Sequence, residues 1–160
     1  MRKYFLILFI TLIVSNYSFA QNYTDFTLSD LEGNEVKISE LLKSGPVWLG
    51  FWATWCTPCK EEMKYMNQLW NKYKDKGFTY VAVNNDDQKS LSKVKSYIGA
   101  NGYEFPVVLD ADQKVFESYQ GNGHPFSVFI SQDGKIVAQH LGYVSGDEKK
   151  FEEEIIGQLK

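Results

Sequence analysis

Hydrophobic positions fall along this chain in short unbroken runs separated by stretches of helical period. The run Val47-Trp48-Leu49-Gly50-Phe51-Trp52 has no polar alternation, which predicts a central strand covered on both faces. From Pro58 onward Cys59, Met63, Met66, Trp70 and Tyr73 recur three or four residues apart, the spacing of one helix face; at that period the methionines read as core. Lys76-Gly77 ends this helix, Phe78 to Val83 forms a second strand, and Asn84-Asn85-Asp86-Asp87 reads as a solvated polar loop at its carboxyl end. Leu91, Val94 and Ile98 mark another helix, closed by Gly99, and a turn region at 101–106 leads to the strand Val107-Val108-Leu109. Upstream, Phe26-Thr27-Leu28 and Glu35 to Ile38 flank Glu32-Gly33-Asn34 as a small hairpin, followed by one helical turn at Ser39 to Leu42. Downstream, Phe126 to Ile130 and Lys135 to Ala138 flank Gln132-Asp133-Gly134 as a second hairpin. Ser145 to Glu148 then has the form of a capping box for a last helix that buries Phe151, Ile155 and Leu159.

Strand, helix, strand, helix, strand, hairpin and helix describe an α/β domain: a mixed central sheet flanked by helices. No repeat, low-complexity tract or linker divides it. Residues 1–20 stand apart: a basic start at Arg2 and Lys3, an apolar stretch from Tyr4 to Val14, and Ser18-Phe19-Ala20 ending on a small residue. Such a stretch is too short to span a bilayer, so it is expected to be a cleaved secretory signal, an uncleaved anchor being the alternative. The folded domain is then expected over residues 21–160, in the periplasm or secreted.

Without Arg2 and Lys3 the chain holds 15 basic residues, all lysine, against 20 acidic ones. That acidic balance lacks the footprint of a nucleic-acid or anionic-lipid binder. Beyond Arg2 the chain carries no arginine.

The chemistry sits in Trp55-Cys56-Thr57-Pro58-Cys59-Lys60, which holds both cysteines of the chain where the central strand hands over to the first long helix. With Cys56 at the helix start and Cys59 one turn on, the two sulfurs face the same way, close enough to bridge. Cys56 meets the unsatisfied amides and positive dipole end, which favour a thiolate, and is the expected nucleophile. Cys59, the shielded partner, is expected to resolve the mixed disulfide. Pro58 suits a first turn because it needs no amide donor there. A static structural disulfide is the competing reading, but so short a loop would restrain the unfolded chain very little. Copper or zinc binding by Cys56, Cys59 and His124 is a second alternative, three ligands where a closed zinc site wants four.

Taken together, Phe51 to Lys60, Phe105-Pro106-Val107-Val108-Leu109-Asp110, Pro125 before a strand, and Asp133-Gly134-Lys135-Ile136-Val137 resemble the exported thioredoxin-like proteins of the TlpA/ResA group over about residues 24–160. The resemblance implies a thioredoxin-like fold with an added amino-terminal hairpin and an insertion after the second core strand. It implies thiol-disulfide exchange without a further cofactor, commonly reduction of disulfides in exported proteins such as apocytochromes awaiting haem. A membrane redox donor or acceptor is the implied partner, nucleic acid is not, and a monomer is expected. In that group the proline at position 125 is cis and faces the dithiol. Trp55, Thr57, Pro58, Gly123, His124 and Pro125 would then border the substrate, with the backbone at Gly123 and His124 pairing with an extended segment.

Three positions depart from the group. Gly50 stands where many thioredoxins place a buried aspartate. Lys64 replaces a proline that often kinks the helix, so a straighter helix is expected. His124 replaces the usual threonine, valine or isoleucine; either it is an imidazolium that favours the Cys56 thiolate, or it packs and hydrogen-bonds at the rim. Glu62 matches a glutamate implicated in proton handling, and desolvation one turn beyond Cys59 would let it take that thiol's proton, unless it is merely solvated like Glu61. His140 is expected at the surface without a role.

Overall fold

The computed structural model describes residues 21–159, so the expected signal at 1–20 lies outside the described residues. Seven strands form one sheet: β1 (Thr27–Asp30), β2 (Glu35–Lys37), β3 (Val47–Trp52), β4 (Thr79–Asn84), β5 (Val107–Leu109), β6 (Phe126–Ile130) and β7 (Ile136–Leu141). Their order across the sheet is β2-β1-β5-β4-β3-β6-β7. β3, β4 and β5 run parallel, β6 is antiparallel to β3, and the β1–β2 hairpin joins the sheet antiparallel to β5. All six residues of β3 are buried, which explains its unbroken apolar run: it is central and covered on both faces.

One face carries α2 (Thr57–Tyr73), α3 (Leu91–Asn101) and α5 (Asp147–Gln158), over a core that includes Trp48, Trp52, Met63, Met66, Phe129 and Phe151. The other face holds Ile38, Leu49, Phe51, Val81, Phe116 and Val128, with α1 (Ile38–Leu41) and α4 (Lys114–Ser118). Alternate side chains of β3 therefore feed both cores, as the pleat requires. The segment between β4 and β6 supplies α3, β5 and α4, and β5 extends the sheet beyond β4. α2 runs uninterrupted for 17 residues, with Lys64 in its interior. This is the mixed α/β sheet flanked by helices that the residue pattern predicts, in the thioredoxin-like arrangement that the resemblance implies.

Several local expectations change. α3 passes through Gly99 and stops at Gly102, whose left-handed φ of 63° provides the reversal that Gly99 was expected to make. Ser145 does not cap α5; Gly146 does, while Asp147 and Glu148 reach back to the amides of Val144 and Gly146. Ile38 opens α1 instead of continuing the strand, and α4 had no helical period long enough to announce it. His140 is not a surface residue: it stacks on Trp48 with ring centroids 5.5 Å apart and bonds Glu154 at 2.8 Å.

Candidate active site around the Cys56–Cys59 disulfide

β3 ends at Trp52, and within four residues the chain turns so that Cys56 becomes the N-cap of α2. Its Sγ accepts a hydrogen bond from the Cys59 amide at 3.2 Å, in the place a serine or threonine oxygen fills at most helix starts. Pro58 sits in the first turn, where no donor is lost. Cys56 and Cys59 are joined by a disulfide and both are buried. Thr57 and Pro58 are exposed, and Trp55, next to Cys56 in the chain, is an apolar side chain 69% exposed.

The loop ahead of β6 completes the rim. The His124–Pro125 peptide is cis, and the Pro125 carbonyl accepts from the Gly142 amide at 2.8 Å, tying the loop to the end of β7. His124 stacks on Phe116 with centroids 4.7 Å apart, meets Trp55 edge-on at 5.5 Å, and places Nε2 3.0 Å from Asn85 Oδ1. Burial pushes its pKa below the ordinary imidazole value, against a smaller upward pull from Asp86. The direction is opposite to that of a standing imidazolium, so at neutral pH the ring is a neutral donor to Asn85.

Asn84-Asn85-Asp86 is the main correction. Expected as a solvated loop, these residues are buried and hydrogen-bonded. Asp86 accepts from the amide and the hydroxyl of Thr54 at 2.7 and 2.8 Å and from Asn84 Nδ2 at 2.8 Å. Asn85 bonds His124 on one side and Asp110 on the other, and Asp110 accepts the amides of Val115 and Phe116 at the start of α4. The corner after β4 thus holds the approach to Cys56, the proline loop and α4 together. Its signal in the sequence was its place at the carboxyl end of a central strand, where sites on such sheets gather.

Behind the dithiol, Glu62 is 3% exposed. Its Oε1 accepts from the Ser127 hydroxyl at 2.8 Å, while Oε2 is buried without a partner. Desolvation raises its pKa from 4.5 to about 7, opposed by the Ser127 hydrogen bond and aided by the charge of Asp147. Nearby, a side chain at Gly50 would lie 2.5 Å from the Tyr80 hydroxyl, so Tyr80 fills the volume that a residue larger than glycine would need. A glycine inside a fully buried strand was the available hint of that close approach.

Cys56, Cys59 and His124 do not gather as a metal set; among the described residues no group of three or more His, Cys, Asp or Glu does. What remains is a buried disulfide at a helix start, with a partly exposed rim and a carboxyl of raised pKa one turn on. With this fold, that arrangement defines a thioredoxin-like thiol-disulfide oxidoreductase. The Redoxin family profile matches residues 20–155. The thiol-disulfide oxidoreductase ResA of Bacillus thuringiensis is 38% identical over 136 residues, 85% of this chain and 73% of that protein. Its counterpart in Halalkalibacterium halodurans is 34% identical over 136 residues, covering 85% and 74%. A crystal structure from Chlorobium tepidum, described as a DsbE-type thiol:disulfide interchange protein, superposes with a TM-score of 0.81 at 35% identity, over 88% of this chain and 97% of that one. The chain belongs to the Redoxin family, in its ResA-like group of thiol-disulfide oxidoreductases.

Proposed function

We propose that this protein reduces disulfides in exported proteins, apocytochromes among them, and is recharged by a dithiol donor at the membrane. The single observation that carries the mechanism is the Cys56 sulfur at the N-cap of α2, within reach of the Cys59 amide. In the reduced protein that amide and the helix dipole favour a thiolate at Cys56. The Cys56 thiolate attacks one sulfur of the substrate disulfide, forming a mixed disulfide and releasing the other sulfur as thiolate. Glu62 takes the proton of Cys59, and the new thiolate attacks Cys56 Sγ, freeing the second substrate sulfur and leaving the Cys56–Cys59 bond. Two electrons pass to the substrate, and an external dithiol returns two to reset the site.

Trp55, Thr57, Pro58 and the Gly123-His124-Pro125 loop would receive an extended substrate segment, held mainly through backbone pairing. Export is supported by the basic, apolar and small-residue order of residues 1–20. Among the described residues, no helix is long and apolar enough to cross a membrane.

The test is to mix the reduced protein with a disulfide-bonded apocytochrome peptide. Cys59→Ser should accumulate a mixed disulfide through Cys56, and Cys56→Ser should abolish exchange. Redox equilibration with dithiothreitol should place the potential near about −300 mV. A value near −120 mV would make the protein an oxidant and overturn the direction of flow.

A further inference from the structure

Ser127 is 1% exposed and is the lone polar side chain in the otherwise apolar strand Phe126–Ile130. It lies two residues beyond Pro125, opposite Gly50 of β3 in the antiparallel register. A buried hydroxyl needs an acceptor, and this one finds it in Glu62 Oε1 at 2.8 Å. The consequence is an asymmetric carboxyl: Oε1 is engaged, and Oε2, equally buried, has no partner. A proton arriving at such a group goes preferentially to the oxygen that is not already accepting a hydrogen bond.

We propose that Ser127 is a positioning residue for proton transfer: by donating to Oε1 it orients Glu62 so that Oε2 is the atom that receives the Cys59 proton. The inference rests on Glu62 acting as proton acceptor in the exchange proposed above. The step balances. The Cys59 S–H bond breaks, its proton forms an O–H bond at Oε2, and the electron pair left on sulfur makes the bond to Cys56 Sγ.

The titratable groups around Glu62 are Cys59 on its own helix, Tyr80 from β4 and Asp147 at the start of α5. Burial and the neighbouring Glu62 hold the Tyr80 phenol protonated far above neutrality, so it does not exchange protons in the working range. Asp147 and desolvation both favour protonated Glu62, and the Ser127 hydroxyl pulls the other way. It is therefore the group that keeps a usable fraction of carboxylate near neutral pH.

The experiment has two readouts on the full protein: the pH midpoint of the Glu62 carboxyl carbon by NMR in the oxidised form, and the pH profile of mixed-disulfide resolution in a single turnover with glutathione disulfide. Ser127→Ala should move the midpoint up by about one to two pH units, the worth of a hydrogen bond to a charged acceptor. Resolution should slow at least about fivefold at pH 7 and regain the wild-type rate at high pH, because only the ionised fraction changes. Ser127→Thr should match wild type, and Ser127→Val, its isostere without a hydroxyl, should match alanine; this pair carries the test if the alanine cavity prevents folding. Identical midpoints and profiles for the threonine and valine variants would overturn the proposal for Ser127 while leaving Glu62 in place. A Glu62→Gln profile indistinguishable from wild type would remove the acceptor role itself, and Ser127's with it.

Discussion

Asp86 holds Thr54 by both its amide and its hydroxyl, at 2.7 and 2.8 Å, two residues ahead of Cys56. The contact joins the end of β4 to the turn that aims Cys56, so the geometry of the dithiol depends on a residue 30 positions away in the chain. Replacing Asp86 with alanine leaves three donors without their acceptor, one buried at Asn84 and two part-buried at Thr54. It should cost about 3 kcal/mol in urea unfolding and slow disulfide exchange. Asp87→Ala loses only the cap of one exposed short turn and should cost about 1 kcal/mol with unchanged exchange. Equal effects from the two variants would show that Asp86 is not the anchor.

Burial of Glu62 makes stability depend on pH in a defined direction. Its folded pKa, about 7, lies above the unfolded 4.5, so the native state binds more protons between those values. The native state therefore loses stability as pH rises from about 4.5 to about 7, then levels off. The 2.5-unit gap corresponds to about 3 kcal/mol. Glu62→Gln, which cannot ionise, should gain that much relative to wild type between pH 4 and pH 9 in urea unfolding. A constant difference across the range would mean that Glu62 titrates as a solvated carboxyl.

At position 50 the space is already taken. Gly50→Asp would drive a side chain into the Tyr80 hydroxyl and bury a carboxyl, and should cost about 3 kcal/mol or more. Combining it with Tyr80→Ala should recover part of the loss in a double-mutant cycle, and purely additive losses would rule out the steric account.

His124 is held neutral by burial, so removing it removes no charge from the site at pH 7. Alkylation of Cys56 in reduced His124→Val should stay within about twofold of wild type at that pH. A several-fold slower reaction would restore the imidazolium as a tuner of the thiolate. On acidification the wild type should lose stability faster than His124→Val, because a buried neutral imidazole must take up charge.

Exposed Trp55 has little to lose on truncation. Trp55→Ala should leave the melting temperature unchanged within a degree or two, yet weaken reduction of protein substrates more than of glutathione disulfide, as expected if the ring meets a polypeptide partner.

What the sequence determined by itself was everything written in local period or spacing. The buried run at β3, the helical stripe from Cys59 to Tyr73, the Cys56-Thr57-Pro58-Cys59 spacing and Pro125 before a strand were legible because each is a short-range pattern that the backbone must obey. The helix stop at Gly102 in place of Gly99 was less legible, since either glycine can adopt the left-handed turn and packing chose between them. The environment of the polar side chains was set by long-range packing. Asn84, Asn85 and Asp86 read as solvated until β3, α4 and the proline loop closed over them, and Ser127 reached Glu62 across 65 positions because α2 lies over the sheet face to which β6 contributes. Tyr80 came to occupy the space at Gly50 through the pairing of β3 with β4. Desolvation and long-range hydrogen bonds depend on which chain segments become neighbours, and no local period encodes that.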